Sequence, residues 1–236
     1  MNFKVCSVFF CMIFTAVVVS GCSEDRKAVG EAEKLLAQEG KSIQELEKVR
    51  GKLKRVIETK LQAVELQEEV CRLLGRKYMQ IGSYNLAKEA LLEAEKLKPY
   101  NAFIKMELGE CYYFLGRAEE DPEKRISFYK KSKNYLETSL DINPDLLESR
   151  YTLGLLLFFG FGEVHQAIEQ MKIILEYNPK YTEAHFALGR FYYEIGQLGK
   201  ALNHYITLTR ILPGDSAEKR KAEENILRIN KEMEEQ

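Results

Sequence analysis

Three observations predict an all-α chain of stacked helix pairs, an α-solenoid. Charged residues make up 30% of the 236 positions and there are only five prolines. A mixture so rich in Ala, Leu, Glu and Lys favours helix over strand. The stretch Tyr151 to Gly162 carries no charge and is apolar on every side of a helix. Such a helix must be enclosed, yet it is too short to cross a bilayer, which needs about 20 apolar residues. From Glu68 onward a pattern of Leu-Gly, a large apolar residue, Gly, a small residue and Pro recurs four times. Helix pairs that cover one another satisfy all three.

The chain opens with Lys4, an uncharged apolar run from Val5 to Val19, and then Val19-Ser20-Gly21-Cys22. Charge, apolar core and small residues before a cysteine read as a cleavable signal over residues 1–21; the segment is short for an uncleaved anchor. The motif resembles the lipobox of bacterial lipoproteins. The resemblance implies that Cys22 becomes the lipid-bearing N-terminus and holds the chain at a membrane of the cell envelope. Ser23, rather than Asp, after that cysteine implies the periplasmic face of the outer membrane. Residues 22–26 are then a short lipidated tether.

Residues 27–66 read as a helical hairpin. Ala28, Ala32, Leu35 and Leu36 share one side of its first arm, and Gly40 ends that arm. Ser42 with Glu45 is a capping-box pair. The second arm carries Leu46, Val49, Leu53, Val56, Leu61 and Val64 near one stripe.

Residues 67–214 hold the four repeats. The first contains Leu74-Gly75, Tyr78, Gly82, Ala87, Leu91, Ala94 and Pro99; the last contains Leu188-Gly189, Tyr192, Gly196, Ala201, Tyr205, Leu208 and Pro213. The second, with Leu108-Gly109 and Pro144, carries an insertion of 11 residues. The third, with Leu153-Gly154 and Pro179, has one extra residue at Gly160-Phe161-Gly162. Glycine lets paired helices approach closely, aromatics fill the remaining space, and proline ends each second helix. This resembles the tetratricopeptide repeat, a helix-turn-helix unit of 34 residues, and the resemblance implies that about four such pairs wind into a right-handed superhelix.

In the insertion, Asp121-Pro122 reads as an N-cap followed by proline at the first helical position. The helix it starts is either a solvated extension or a docking surface built on Ile126, Phe128 and Tyr129. Residues 215–236 form a last helix, capped by Asp215 or Ser216, with Ala222, Ile226, Ile229 and Met233 as one stripe. A polar-backed terminal helix is what a stack of repeats needs.

No catalytic constellation is legible. His165, His185 and His204 lack a partner at metal-ligand spacing, and neither a phosphate-cradling glycine loop nor a nucleophile elbow occurs. The expectation is a non-enzyme with no metal and no cofactor. Charges of 35 basic against 36 acidic residues leave no field for nucleic acid. Cys71 and Cys111 fall at repeat positions about 9 Å apart along adjacent helices. A disulfide needs Cα atoms within about 7 Å, so both are expected as buried free thiols.

The family resemblance implies a concave groove lined by the first helix of each unit. Its regular positions fall on Arg72 and Arg76, then on Phe103, Met106, Tyr113 and Phe114. They continue with Tyr151, Leu155, Phe158 and Phe159, and end with Phe186, Arg190 and Tyr193. The carboxylate clamp known in the family is not expected, because Glu107 and Glu110 oppose Arg72 and Arg76. An apolar floor of this extent marks a binding surface. The implied partner is an extended or helical segment of another envelope protein, and separately a homo-oligomer is left open. The alternative is a carrier or transport accessory for a hydrophobic small molecule.

Overall fold

Several helices begin at a side-chain cap. Ser42 Oγ accepts the Glu45 amide at 3.2 Å while the Glu45 carboxylate accepts the Ser42 amide at 3.1 Å, the expected capping box. Asp121 accepts the amides of Glu123 and Lys124, with Pro122 in the first turn. Ser216, rather than Asp215, caps the last helix through the Lys219 amide.

The computed structural model describes residues 23–38 and 42–235. The expected signal segment (residues 1–21), the expected lipidation site Cys22, and Gly40 lie outside the described residues. The helices are α1 (23–36), α2 (Ile43–Gln80), α3 (Tyr84–Leu97), α4 (Ala102–Ala118), α5 (Pro122–Ile142), α6 (Leu147–Leu156), α7 (Val164–Tyr177), α8 (Thr182–Glu194), α9 (Leu198–Ile211) and α10 (Ala217–Glu234). No described residue lies in a strand, and no described helix is long and apolar enough to cross a membrane.

The chain divides at Gln67 and Glu68 into two compact units. In the first, α1 buries Ala28, Ala32 and Leu35, the start of α2 buries Val56, and Lys52 pairs with Glu31. Three expectations need correction. Residues 23–26 are helical rather than a tether. Leu36 is exposed, as are Leu46, Leu61 and Val64, because the buried stripe is narrower than the apolar residues suggest. The hairpin's second arm also does not stop before the repeats: nothing in Ala63 to Cys71 breaks a helix, and α2 runs through as 38 residues.

In the second unit each helix packs on the next, and α4, α6 and α8 also touch in succession. That is the contact pattern of a solenoid. The second helices α3, α5, α7 and α9 each end two residues before Pro99, Pro144, Pro179 and Pro213, as a residue preceding proline is pushed out of helical geometry. The repeated glycine is a close-approach point: a Cβ on Gly109 would lie 2.6 Å from Leu136 Cγ. One apolar cluster joins α2, α3 and α4 through Leu91, Ile104 and Leu108. It also holds Cys71 and Cys111, which are buried and free. Cys111 donates to the Tyr84 carbonyl, and burial pushes its thiol up to about 12. A second cluster runs from Tyr113 to α10, whose Ala222 and Ile229 are fully buried while Met233 stays exposed.

The fourth repeat pairs two histidines, His185 buried and His204 half-buried. His185 Nε2 lies 3.0 Å from the Pro179 carbonyl, so that nitrogen donates, and its Nδ1 accepts from His204 Nδ1 at 3.0 Å. Burial first, and the His185 charge second, hold His204 down at about 4 rather than the ordinary 6.5. A histidine lowered on folding gives its full stability above the unfolded value and loses it as pH falls toward the folded one. The chain is therefore expected to lose on the order of 2 kcal/mol between pH 6.5 and 4 through this ring, after discounting its partial exposure. Urea midpoints of wild type and His204→Gln should converge over that interval. A constant gap between them would place the ring in solvent.

Candidate functional site

The extra residue of the third repeat decides the site's floor. Instead of looping out, it is taken up by a π-helical turn over Leu157–Phe161 that extends α6. The Glu163 amide closes the turn on the Leu157 carbonyl at 2.8 Å, and Gly162 takes φ 69, which a side chain would strain. A one-residue widening of this kind often lies at functional positions. Here it turns two adjacent phenylalanines to different tasks. Phe158 lies flat on Phe191, with ring centroids 4.1 Å apart. Phe159 keeps 39% of its surface exposed and lies beneath the Arg190 guanidinium at 4.6 Å.

Phe159 opens into a hollow of about 950 Å³ within the second unit. Tyr113 and Arg117 reach it from α4, Tyr151 and Leu155 from α6, and Phe186, Arg190 and Tyr193 from α8. Arg125 and Tyr129 come from α5 and Tyr205 from α9. Lys221, Asn225 and Arg228, spaced to share one face of α10, form an end wall. Burial raises the Tyr113 and Tyr151 hydroxyls above the ordinary phenol value, so both stay neutral donors at physiological pH.

Of the residues expected in the groove, the hollow gathers Tyr113, Tyr151, Leu155, Phe159, Phe186, Arg190 and Tyr193. The other six lie elsewhere. Arg72 is fixed by both Glu107 oxygens, at 3.0 and 2.9 Å, and Arg76 sits 3.8 Å from the same carboxylate. Phe103 lies under Arg72, Met106 is half-buried, Phe114 stacks on Tyr84 and Phe158 on Phe191. The α5 insertion is not a free docking face through its aromatics. Tyr129 is buried and Phe128 packs toward Tyr112, leaving Ile126 exposed.

What the sequence reading missed is the cationic rim of Arg117, Arg125, Lys221 and Arg228. Arg117 and Arg125 flank the start of the inserted segment, and the α10 pair stood on what reads as the solvated back of a cap. The spacing of Lys221, Asn225 and Arg228 at four and seven residues was the available signal. Among the described residues no cluster of three or more His, Cys, Asp or Glu side chains could hold a metal ion.

Comparison with known proteins agrees with this fold. Models described as tetratricopeptide repeat match residues 158–222 and 68–101, so the chain carries such repeats. Among solved structures, a thermophilic tetratricopeptide-repeat protein of Thermus thermophilus superposes with a TM-score of 0.64 at 23% identity, covering 75% of this chain and 90% of that one. Cut9 in its anaphase-promoting-complex tetramer with Hcn1 gives a TM-score of 0.55 at 19% identity, covering 67% of this chain and 29% of that one. Two curated proteins are 29% identical: anaphase-promoting complex subunit CDC16 of Saccharomyces cerevisiae over 150 residues, and BBSome complex member BBS4 of Bos taurus over 158 residues. The matches cover 61% and 66% of this chain but only 16% and 28% of those proteins.

Proposed function

We propose that this chain is an interaction scaffold whose repeats receive a segment of another protein in the hollow between α4, α6, α8 and α10. The observation that carries this reading is the convergence of Tyr113, Tyr151, Phe159, Phe186 and Tyr193, from three successive first helices, on one open cavity. Aromatic side chains give large contact area at low entropic cost, and with arginine they dominate the energetics of protein interfaces. Relatives that are subunits of multiprotein assemblies support the same reading. A carrier of an apolar small molecule fits less well, because such a ligand offers no counter-charge to the surrounding cations.

The lipobox-like Val19-Ser20-Gly21-Cys22 supports a second element of the proposal. The scaffold acts at the membrane, anchored through lipid on Cys22, in envelope assembly or transport, with Ser23 favouring the outer membrane. It has no catalytic role.

Photocrosslinking in the native host tests the scaffold. A benzophenone side chain at Phe159 should crosslink one protein at a defined segment, while the same probe at exposed Tyr100, outside the hollow, should not. Equal products from both positions would sink the reading. Metabolic labelling with an alkyne fatty acid should mark the wild type and not Cys22→Ala; unlabelled wild type would remove the anchor.

A further inference from the structure

Lys and Arg are outnumbered by Asp and Glu in the whole chain, 35 to 36, yet the hollow reverses the balance. Five cations line it, Arg117, Arg125, Arg190, Lys221 and Arg228, against the single carboxylate of Glu194. Glu194 lies 3.6 Å from Arg190. No carboxylate among the described residues pairs with Arg117, Arg125, Lys221 or Arg228. The nearby Glu232, on α10, takes the Tyr193 hydroxyl instead.

The cations are also held in place by the floor. The Arg190 guanidinium lies 4.6 Å from the Phe159 ring centre and that of Arg228 4.6 Å from Tyr193. Arg117 lies 5.8 Å from Tyr113, and Lys221 lies 6.0 Å from Phe186. Cations within about 6 Å of a ring centre are attracted to its face. A guanidinium over a ring retains N–H donors for a carboxylate even where one of them is used, as on Arg117, which also donates to the Tyr113 hydroxyl. Arg228 is aligned further by Asn225 Oδ1 at 2.8 Å. Arg125 donates to the carbonyls of Glu119 and Glu120, which fix the side chain and leave its charge uncompensated. Arg72 shows the contrast, since both Glu107 oxygens already occupy its edge.

We infer that the occupant of the hollow is an acidic polypeptide segment with an aromatic or large aliphatic anchor residue. Its carboxylates meet the N–H edges of Arg117, Arg190 and Arg228, and its anchor lies on Phe159 and Tyr193. The inference rests on the scaffold reading and adds the charge and anchor of the partner. Three of the five cations come from the α5 insertion and α10, outside the regular groove positions of the repeats. The selectivity therefore belongs to this chain's additions to the repeat pattern.

Titration of the full chain with fluorescein-labelled decapeptides, read by anisotropy, tests this. A Glu- and Asp-rich peptide with a central Phe should bind at least about tenfold tighter than its Lys-substituted counterpart or the acidic peptide with Ala in place of Phe. Its affinity should fall as salt rises from about 50 to 500 mM, since exposed charges are then screened. Arg117→Glu with Arg228→Glu should weaken it by about tenfold or more, while Arg50→Glu, in the first unit, should leave it unchanged. Circular dichroism of the double variant checks folding, and Arg228→Gln alone should give a smaller loss in the same direction. Equal binding of acidic and basic peptides, abolished by Phe159→Ala, would overturn the acidic preference while leaving the scaffold intact. Binding of no peptide, together with no protein crosslink from Phe159, would remove both. Preference for vesicles of an anionic phospholipid or for a single-stranded oligonucleotide over the acidic peptide would overturn the polypeptide assignment.

Discussion

Phe191→Ala is expected to lower the unfolding free energy by about 3–5 kcal/mol, the range for a large aromatic removed from a packed core. Phe191 is fully buried on α8, flat against Phe158 and edge-on to Phe159 at 5.9 Å. Its removal leaves a cavity between α6 and α8, at the point where the π-helical turn feeds both phenylalanines into the structure. The lost area cannot be recovered by simple collapse, because Gly162 and the Glu163-to-Leu157 hydrogen bond fix the turn. Urea unfolding followed by circular dichroism measures the loss, with Phe191→Leu expected to retain more than half of the stability at stake. Phe159 also loses one of its supports, so affinity for the acidic anchor peptide should fall along with stability. A loss under about 1 kcal/mol would show that the ring is not a post of the core.

The helix ends were legible in the sequence because their causes are local. Ser42 with Glu45, Asp121 with Pro122 and the four prolines act within a few residues of where they stand. The packing role of Gly109 was equally plain, since repetition in register exposes a position where a side chain does not fit. The floor was half legible. Tyr113, Tyr151, Phe186 and Tyr193 occupy regular positions on successive first helices, and regularity carries them to one cavity. Phe158 and Phe159 were not separable by position alone, because an added residue can be looped out or absorbed in a widened turn. The choice between these depends on how Phe158 packs against Phe191, 33 residues later in the chain. The rim was the least legible part. Lys221 and Arg228 become binding groups only through where α10 lands, and a charged face on a terminal helix usually meets water. The state of Arg72 was partly legible: repeat register sets Glu107, 35 residues away, against it, whereas the two-point hydrogen bonding of the guanidinium is a matter of packing.

Glu107 is therefore the place to separate stability from recognition. Its side chain is almost fully buried, accepts two hydrogen bonds from Arg72 and lies 3.8 Å from Arg76. Beside it, Glu110 is raised above the usual carboxylate range, first by burial and then by the Glu107 charge. Replacing Glu107 with Leu is expected to cost about 2–4 kcal/mol, because a largely buried guanidinium loses both of its hydrogen bonds and keeps only Glu68, 3.7 Å away, as a counter-charge. The lower part of that range allows for the 20% of the Arg72 side chain that still reaches solvent. Arg72→Met combined with Glu107→Leu should return most of the loss, since apolar replacements of both partners are often close to neutral. Glu68 tolerates the second change because Lys98, 3.0 Å away, still compensates it. A cycle of the two single variants and the double, measured by urea unfolding, gives the coupling directly. Arg72 lies outside the hollow, so the stabilised double variant should bind the acidic anchor peptide as the wild type does. If stability returns and binding does not, recognition extends along the stack to the first repeat, and the surface is larger than the cavity ringed by Arg117, Arg190 and Arg228.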